Sequence, residues 1–214
     1  MLLLGILLTA AGCGRAADRP LVYVALGASD SVGIGAANPH EQGWVARLHG
    51  RLPSGTRLVN LGVSGFTLAQ AVEQSLPVAV AARPDVVTVW LAVNDLNARV
   101  SVEQYERDLD RLLGTLVDAG ARRILVGNVP DLTRVPVYRS ESVSPEELSK
   151  EVARWNAAIS RQVARHGAVL VDLHDQWTEL TAHPEYVSVD GFHPSAAGYE
   201  RLAEVFYRAL VAER

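Results

Sequence analysis

The sequence has little that would support disulfide, metal or polyanion chemistry. Its single cysteine, Cys13, cannot form a disulfide within the chain, and its histidines show no paired spacing such as H-x-x-x-H that would indicate a metal site. Lys150 is the only lysine, and the 20 basic residues are scattered among 24 acidic ones, which gives a net charge of -4 without a basic cluster. We therefore expect no nucleic-acid partner, no metal ion and no other cofactor.

An apolar run, MLLLGILLTAAGC, stands at the start of the chain. About a dozen apolar residues are too few to cross a bilayer as a helix but have the length of a signal peptide. The end of the run, TAAGC, resembles a bacterial lipobox, in which Cys13 would become lipidated, although Ala10 stands where leucine is usual. We therefore predict a leader and tether over residues 1–20. The protein would then be exported, and either attached to a membrane of the cell envelope through Cys13 or secreted.

Beyond residue 20 the chain alternates short apolar runs with amphipathic segments. The apolar runs predict five strands, at 21–26, 57–62, 85–93, 122–129 and 168–173. The periodic segments predict helices at 43–52, 67–76, 101–120, 144–167 and 195–213. Because the strands are apolar throughout rather than alternating, we expect a parallel sheet buried on both faces. The predicted fold is one α/β domain over residues 21–214, a three-layer α/β/α sandwich with a central parallel sheet of about five strands.

The segment LGASDSVGIG, residues 26–35, carries three glycines and two serines directly after the first predicted strand. Such a loop can cradle a phosphate or present a nucleophile. A phosphate-binding loop would need the pattern G-K-[ST] or G-x-G-x-x-G, and neither occurs at these glycines. Nucleotide binding is therefore disfavoured, and the loop by itself leaves both Ser29 and Ser31 open as nucleophiles.

Other informative segments, GVSGFT, VNDLN and DGFHP, also come after predicted strands. In open parallel sheets, ligands bind at the carboxyl ends of the strands. In DGFHP, Asp190 precedes His193 by three residues, so its carboxylate can accept a hydrogen bond from one imidazole nitrogen while the other faces a serine. These are the groups that nucleophilic catalysis by a serine requires.

Together the four segments resemble the SGNH hydrolase superfamily, also called the GDSL esterase/lipase family. The family block G-D-S-L matches GASDS with Ser29 as the nucleophile, and N-x-x-x-S-G-x-T matches NLGVSGFT with Gly65. The block G-x-N-D matches AVND with Asn94, and D-x-x-H-P matches DGFHP with Asp190 and His193. The blocks occur in family order over nearly the whole chain after the leader.

The resemblance implies a flavodoxin-like fold and a serine esterase that needs no cofactor. Its triad would be Ser29, His193 and Asp190, and the reaction would pass through an acyl-enzyme. The resemblance also implies an oxyanion hole formed by the backbone N–H groups of Ser29 and Gly65 and by the side-chain amide of Asn94, since such donors stabilise the charge that collects on the carbonyl oxygen.

Three positions depart from the family pattern without removing a triad or oxyanion side chain. Ala28 replaces the aspartate before the serine, Asp30 replaces the leucine after it, and Ala92 replaces the glycine of the third block. Alignment on Ser29 keeps the family spacing from the strand, so we expect Ser31 to cap or begin the next turn. The role of Asp30 stays open between perturbing the local field and capping the turn.

Two further sites are predicted to be structural. Asp95, next to Asn94, is expected to hold its loop by hydrogen bonds rather than to do chemistry. Ser144 and Glu147 have the spacing of a capping box at the start of a helix.

We therefore predict an esterase that hydrolyses carboxylic acyl esters. Short acyl esters, lysophospholipids and O-acetylated envelope polysaccharides all remain candidate substrates, and the oligomeric state stays open. The alternative is a non-catalytic binding module that has kept the fold.

Overall fold

Five parallel β-strands form one sheet in the order β2-β1-β3-β4-β5. The structure, a computed structural model, describes residues 19–140 and 143–212. The strands are β1 Val22–Gly27, β2 Arg57–Asn60, β3 Val86–Trp90, β4 Arg123–Gly127 and β5 Val169–Val171. Each strand lies within one residue of a predicted run or inside it, and the predicted parallel sheet is confirmed.

The apolar strands lie in the middle of the sheet, as their composition requires. Every residue of β1 and β3 is buried, whereas β2 at the edge keeps exposed or half-buried positions. Helices cover both faces, which is why the central strands can be apolar throughout. The three-layer α/β/α architecture predicted from the sequence is therefore confirmed.

Helices connect the strands, and most of the long ones follow the predicted segments. They are α1 Ser29–Val32, α2 Pro39–Gln42, α3 Trp44–His49, α4 Leu68–Gln70, α5 Leu76–Ala81, α6 Val93–Asn97, α7 Val102–Asp118, α8 Pro145–Arg165, α9 Leu173–Ala182 and α10 Ala196–Val211. A π-helical segment, Ala71–Ser75, joins α4 to α5, and 3₁₀ segments cover Leu132–Arg134, Pro136–Ser140 and Pro184–Tyr186. No helix among the described residues is both long enough and apolar enough to span a membrane.

The helix starts are fixed by side chains that the sequence supplies. Ser144 accepts a hydrogen bond from the backbone N–H of Glu147, and the Glu147 carboxylate accepts one from the backbone N–H of Ser144. The capping box predicted for α8 is therefore confirmed. Ser101 and Ser195 cap α7 and α10 in a similar way, each accepting from the N–H group three residues on.

The helices form two layers with apolar seams. On one side α3 packs on α10, and on the other α4, α5 and α8 pack on α7. The seam between α3, α10 and the sheet is aromatic, since Trp44 stacks on Phe206 with ring centroids 4.3 Å apart and meets the edge of Trp90. Trp90 is the last residue of β3, so this aromatic cluster packs at the carboxyl end of that strand.

The direction in which the chain adds strands reverses beside β1. From β1 it passes outward to β2, and it then returns to place β3 on the other side of β1. The connections that leave the carboxyl ends of β1 and β3 therefore diverge and open a crevice between them, which is where ligands bind in sheets of this type. The predicted leader residues up to 18, including Cys13, lie outside the described residues.

Candidate active site

Ser29 is the first residue of α1 and lies two residues after the last residue of β1. The turn from strand to helix is tight because Gly27 has no side chain. A Cβ atom on Gly27 would lie 1.9 Å from Ser31 Oγ, so only glycine lets α1 fold back against the strand. The turn places Ser29 at the carboxyl end of the strands, in the crevice beside β1.

Ser31 occupies a different environment from the one predicted. It lies inside α1 rather than at a cap or at the start of a turn, and only 1% of its surface is exposed. Its hydroxyl makes no hydrogen bond and is directed toward Gly27 in the interior. Of the two serines in the loop, Ser29 alone contacts the predicted base.

His193 provides that contact. Its Nε2 atom lies 2.9 Å from Ser29 Oγ, and its Nδ1 atom lies 2.7 Å from Asp190 Oδ2. The imidazole is largely buried, with 15% of the side chain exposed. Gly35 allows this approach, because a Cβ atom there would lie 2.5 Å from the carbonyl oxygen of Pro194 and 3.0 Å from His193 Cβ. The structure thus brings together the three residues that the sequence predicted as a triad.

The segment that carries Asp190 and His193 is closed on itself. The backbone N–H of Ser188 donates to the carbonyl of His193 at 2.8 Å, and Val187 forms an antiparallel bridge with Pro194. Gly191 makes the turn between them with a φ of +70°, in the left-handed region that favours glycine. The distance between the carboxylate and the imidazole is therefore set by a small hairpin rather than by a free loop.

Asp190 is held in its ionised form. Partial burial opposes ionisation, but hydrogen bonds from His193, from the backbone N–H of Phe192 and from the Ser188 hydroxyl together hold the pKa of Asp190 well below its usual range. A carboxylate can only accept hydrogen bonds, so His193 Nδ1 must carry the proton. In the neutral imidazole Nε2 is then the acceptor, and it can accept the Ser29 proton.

Gly65 and Asn94 lie on the two segments that flank the Ser29 turn. Gly65 has a φ of +82°, which a residue with a side chain rarely adopts, so the backbone itself requires glycine here. No hydrogen bond between residues that the structure describes uses the backbone N–H of Ser29 or of Gly65. Both groups therefore remain available as donors to a ligand.

The Gly65 and Asn94 segments are joined by two hydrogen bonds that run in opposite directions. The side-chain amide of Asn94 donates to the carbonyl of Phe66 at 2.9 Å, and the backbone N–H of Leu68 donates to the Asp95 carboxylate at 2.9 and 3.1 Å. Asp95 therefore has the structural role predicted for it. Burial raises the pKa of Asp95 to about 6, although the hydrogen bond from Leu68 opposes this shift.

A narrow pocket opens beside Ser29. Its cavity volume is about 20 Å³, which is room for about one or two water molecules. Its walls are formed by residues of the β1–α1 turn, the end of β3 and the two flanking segments: Ala28, Ser29, Asp30, Phe66, Trp90, Leu91, Ala92, Val93, Asn94 and Phe192. Asp30, whose role the sequence left open, therefore belongs to the wall of this pocket.

Two aromatic residues at the pocket were not singled out from the sequence. Phe192 packs edge-on against His193 with ring centroids 4.7 Å apart, and Phe66 follows Gly65 directly. Both lie inside the motifs DGFHP and GVSGFT, so their position in the sequence was a usable signal. No group of three or more His, Cys, Asp or Glu side chains in residues 19–140 and 143–212 is arranged to hold a metal ion.

Comparison with known proteins connects this geometry to a family. The model of the GDSL-like lipase/acylhydrolase family matches residues 25–201. An acetylxylan esterase from Geobacillus stearothermophilus is 25% identical over 185 residues, which cover 78% of this chain and 80% of that protein. An acetylxylan esterase from Xylanibacter ruminicola is 23% identical over 207 residues, and the match covers 86% of this chain but only 42% of that protein.

Solved structures show the same fold. The crystal structure of TesA superposes with a TM-score of 0.74 at 23% identity and covers 89% of this chain and 98% of its own. The crystal structure of an acetylxylan esterase from Geobacillus stearothermophilus superposes with a TM-score of 0.73 at 20% identity and covers 90% of this chain and 95% of its own.

Proposed function

The chain belongs to the GDSL-like lipase/acylhydrolase family and is a carboxylic ester hydrolase, and we propose that it works as a serine esterase with the triad Ser29, His193 and Asp190. The observation that carries this proposal is the unbroken line of contacts from Ser29 Oγ to His193 Nε2 at 2.9 Å and from His193 Nδ1 to Asp190 Oδ2 at 2.7 Å. The spacing of each contact is that of a hydrogen bond.

In the first step Ser29 Oγ attacks the carbonyl carbon of the ester. His193 Nε2 accepts the hydroxyl proton as the new bond forms, and the ionised Asp190 stabilises the resulting imidazolium. The proton then passes from His193 to the oxygen of the leaving alcohol when the bond from carbon to that oxygen breaks. The acyl group remains on Ser29 as an ester.

Negative charge collects on the former carbonyl oxygen during this step. We assign its stabilisation to the backbone N–H groups of Ser29 and Gly65, which make no other hydrogen bond among the described residues, and to the side-chain amide of Asn94. One Asn94 N–H is donated to Phe66, so the second can point to the substrate oxygen. Donors fixed in this way act without reorganising during the reaction.

The second step returns the enzyme to its starting state. A water molecule attacks the acyl carbon while His193 takes one of its protons, and the bond between that carbon and Ser29 Oγ then breaks. The serine regains its proton from His193, and the carboxylic acid leaves. The balance of the two steps is the hydrolysis of one ester by one water.

The pocket supports short acyl groups rather than the long acyl chains of lysophospholipids or other long-chain esters as the substrate's acyl half. The pocket beside Ser29 has a cavity volume of only about 20 Å³, which suits a methyl group rather than a long chain. The curated relatives that match the chain are acetylxylan esterases, which supports the same class. We propose that the natural substrate is an O-acetylated saccharide, whose acetyl group passes to Ser29 while the saccharide hydroxyl leaves.

A panel of chromogenic esters tests this proposal. Hydrolysis should be fastest for p-nitrophenyl acetate and fall steadily through butyrate to octanoate, and acetate should be released from an acetylated xylo-oligosaccharide. Treatment with EDTA should leave the rate unchanged, because side chains and backbone amides fill every role. A fastest rate on octanoate would contradict the short-acyl proposal, and no turnover of any ester would favour the non-catalytic binding module.

The location of the protein is a separate proposal that rests on the leader. We propose that Cys13 carries lipid and attaches the protein to a membrane of the cell envelope. In the native host the wild-type protein should then fractionate with membranes, and Cys13→Ser should release it or block its processing. A soluble wild-type protein that begins after Cys13 would instead indicate secretion.

A further inference from the structure

Asp30 is one of the residues that form the wall of the pocket beside Ser29. It is the second residue of α1, and it lines the pocket together with Ala28, Leu91 and Asn94. No side chain in the described part of the sequence donates a hydrogen bond to its carboxylate or forms an ion pair with it. The reaction steps set out above do not use it.

The geometry of the acyl transfer indicates which part of the substrate lies against this wall of the pocket. The attacked carbon has four substituents in the tetrahedral intermediate. Ser29 Oγ is one, the oxyanion points to Gly65 and Asn94, and the leaving oxygen must lie within reach of His193 Nε2. The fourth substituent is the acyl chain, and the direction left to it is the narrow pocket that Asp30 helps to form.

The charge state of Asp30 determines how it acts on that chain. Burial raises the pKa of Asp30 to about 6. An imidazolium at His193 and a hydrogen bond from the Asp30 backbone N–H oppose the shift, and the Asp190 carboxylate adds to it. The pKa of Tyr199 is raised mainly by burial, and the negative charge of Asp30 adds to this shift. Asp30 therefore carries a negative charge at pH 8, in a small and partly dehydrated space where charges interact more strongly than in water.

We propose that Asp30 determines acyl specificity, favouring small uncharged acyl groups such as acetyl, disfavouring longer apolar ones and disfavouring anionic ones of the same size still more strongly. An anionic group would meet a like charge, and a longer alkyl chain would have to cover a carboxylate to which no side chain of the described residues donates a hydrogen bond. This inference rests on the proposed esterase function, since it concerns the acyl half of the same substrate.

The charge discrimination is measured with two esters of equal size. Monoethyl succinate and ethyl 4-methylpentanoate differ only in a carboxylate that replaces an isopropyl group. Each hydrolysis frees one new carboxylic acid, which ionises at pH 8, so a pH-stat follows both esters. The wild type should favour the neutral ester in kcat/KM by tenfold or more. Equal rates in the wild type would overturn the inference, and this result requires no variant.

Two substitutions separate charge from shape. Asp30→Asn keeps the size of the side chain and removes its charge. It should therefore lower the kcat/KM preference for the neutral ethyl ester over the anionic one about tenfold. Asp30→Leu makes the wall apolar and should raise the ratio of butyrate to acetate hydrolysis at least fivefold over the wild type. Asp118→Asn is the matched control, because it removes the same charge from an exposed position at the far end of α7 and should leave both ratios at the wild-type values.

Ratios of kcat/KM cancel any general loss of active enzyme in a variant. If both Asp30 variants lose activity equally on all esters, Asp30 is only structural and the inference is wrong. Ethyl acetate serves as the reference substrate. Failure of the wild type to hydrolyse it would overturn the esterase proposal itself, whereas turnover of ethyl acetate with unchanged ratios in the variants would overturn the role of Asp30 alone.

Discussion

The side-chain amide of Asn94 donates a 2.9 Å hydrogen bond to the carbonyl of Phe66, the residue that follows Gly65. The amide proposed to stabilise the oxyanion is thereby oriented by the segment that carries a second proposed donor. Asp95 reinforces the connection from the other side by accepting the N–H of Leu68. The two donors are therefore fixed relative to each other before substrate binds, which is what electrostatic stabilisation of a transition state requires.

Removal of either donor should slow turnover while the fold survives. We expect Asn94→Ala to lower kcat by about 10²-fold or more. Gly65→Ala should lower kcat as well, because an alanine at φ +82° strains the backbone and displaces the N–H. Steady-state kinetics on p-nitrophenyl acetate measures both effects.

Gly120→Ala is the control for Gly65→Ala. Gly120 has a φ of +83°, and a Cβ atom there would also meet no other atom within 4 Å, so the two substitutions impose the same kind of strain. Both should lower the melting temperature by a similar amount, but only Gly65→Ala should lower kcat. An equal loss of kcat in both variants would argue that Gly65 acts through stability and not through the oxyanion.

Ser29 and Ser31 are distinguished by covalent labelling. A fluorophosphonate probe should modify Ser29, because its hydroxyl contacts His193 at 2.9 Å, whereas the Ser31 hydroxyl is buried. Ser29→Ala should abolish labelling and nearly all turnover, and Ser31→Ala should retain both. Mass-spectrometric mapping of the adduct to Ser31 would contradict the assignment and leave the esterase activity in place.

Asp190 should affect kcat through the imidazole of His193, which it orients. Asp190→Asn offers an amide in place of the carboxylate, which no longer fixes the proton on His193 Nδ1, and we expect kcat to fall on the order of 10³-fold or more. Because the pKa of Asp190 is held well below its usual range, the carboxylate stays ionised at every pH from 4 upward. Steady-state kinetics on p-nitrophenyl acetate measures the loss. An unchanged kcat in Asp190→Asn would count against this role.

Asp95 should make stability depend on pH. Burial raises its pKa from 3.8 to about 6, so between these values the folded protein binds one proton more than the unfolded chain. The free energy of unfolding contributed by this group therefore falls as pH rises from 4 to 6, by about 2 kcal/mol. Asp95→Asn lacks this titration and keeps an oxygen for Leu68.

The difference in unfolding free energy between Asp95→Asn and the wild type should thus increase by about 2 kcal/mol from pH 4 to pH 7. Urea denaturation at several pH values measures it. Asp118→Asn, at an exposed position, should run parallel to the wild type throughout. If Asp95→Asn also runs parallel, Asp95 is not buried as a charge.

The sheet and the long helices were predictable because each has a strong local signal. The strand β3 is an unbroken apolar run, and α8 begins at a capping box that the sequence spells out at Ser144 and Glu147. The short helices α1 and α6 were not predicted, because four or five residues are too few to show a helical period. Both of them carry residues of the candidate site.

The residues of the site could be identified from the sequence, but the contacts that orient them could not. Ser29 and His193 are 164 residues apart, and only motif resemblance linked them before the strand order brought them together. The burial of Ser31 depends on the absence of a side chain at Gly27, a tertiary relationship that no local pattern reports. The position of Asp30 in the pocket wall likewise depends on how α1 folds back on the sheet.

The chain enters the sheet at the amino end of the strands, opposite the carboxyl end where the candidate active site lies. Arg19 forms a two-pronged ion pair with Asp85, which also accepts the N–H of Val22, so the start of β1 is fastened at the amino end of the strands. The six residues of β1 separate this point from the Ser29 turn by about 20 Å. Immobilising the enzyme on a bead through the chain ahead of Arg19 should therefore leave the mouth of the pocket turned toward bulk solution, where even a bulky polymer can reach it.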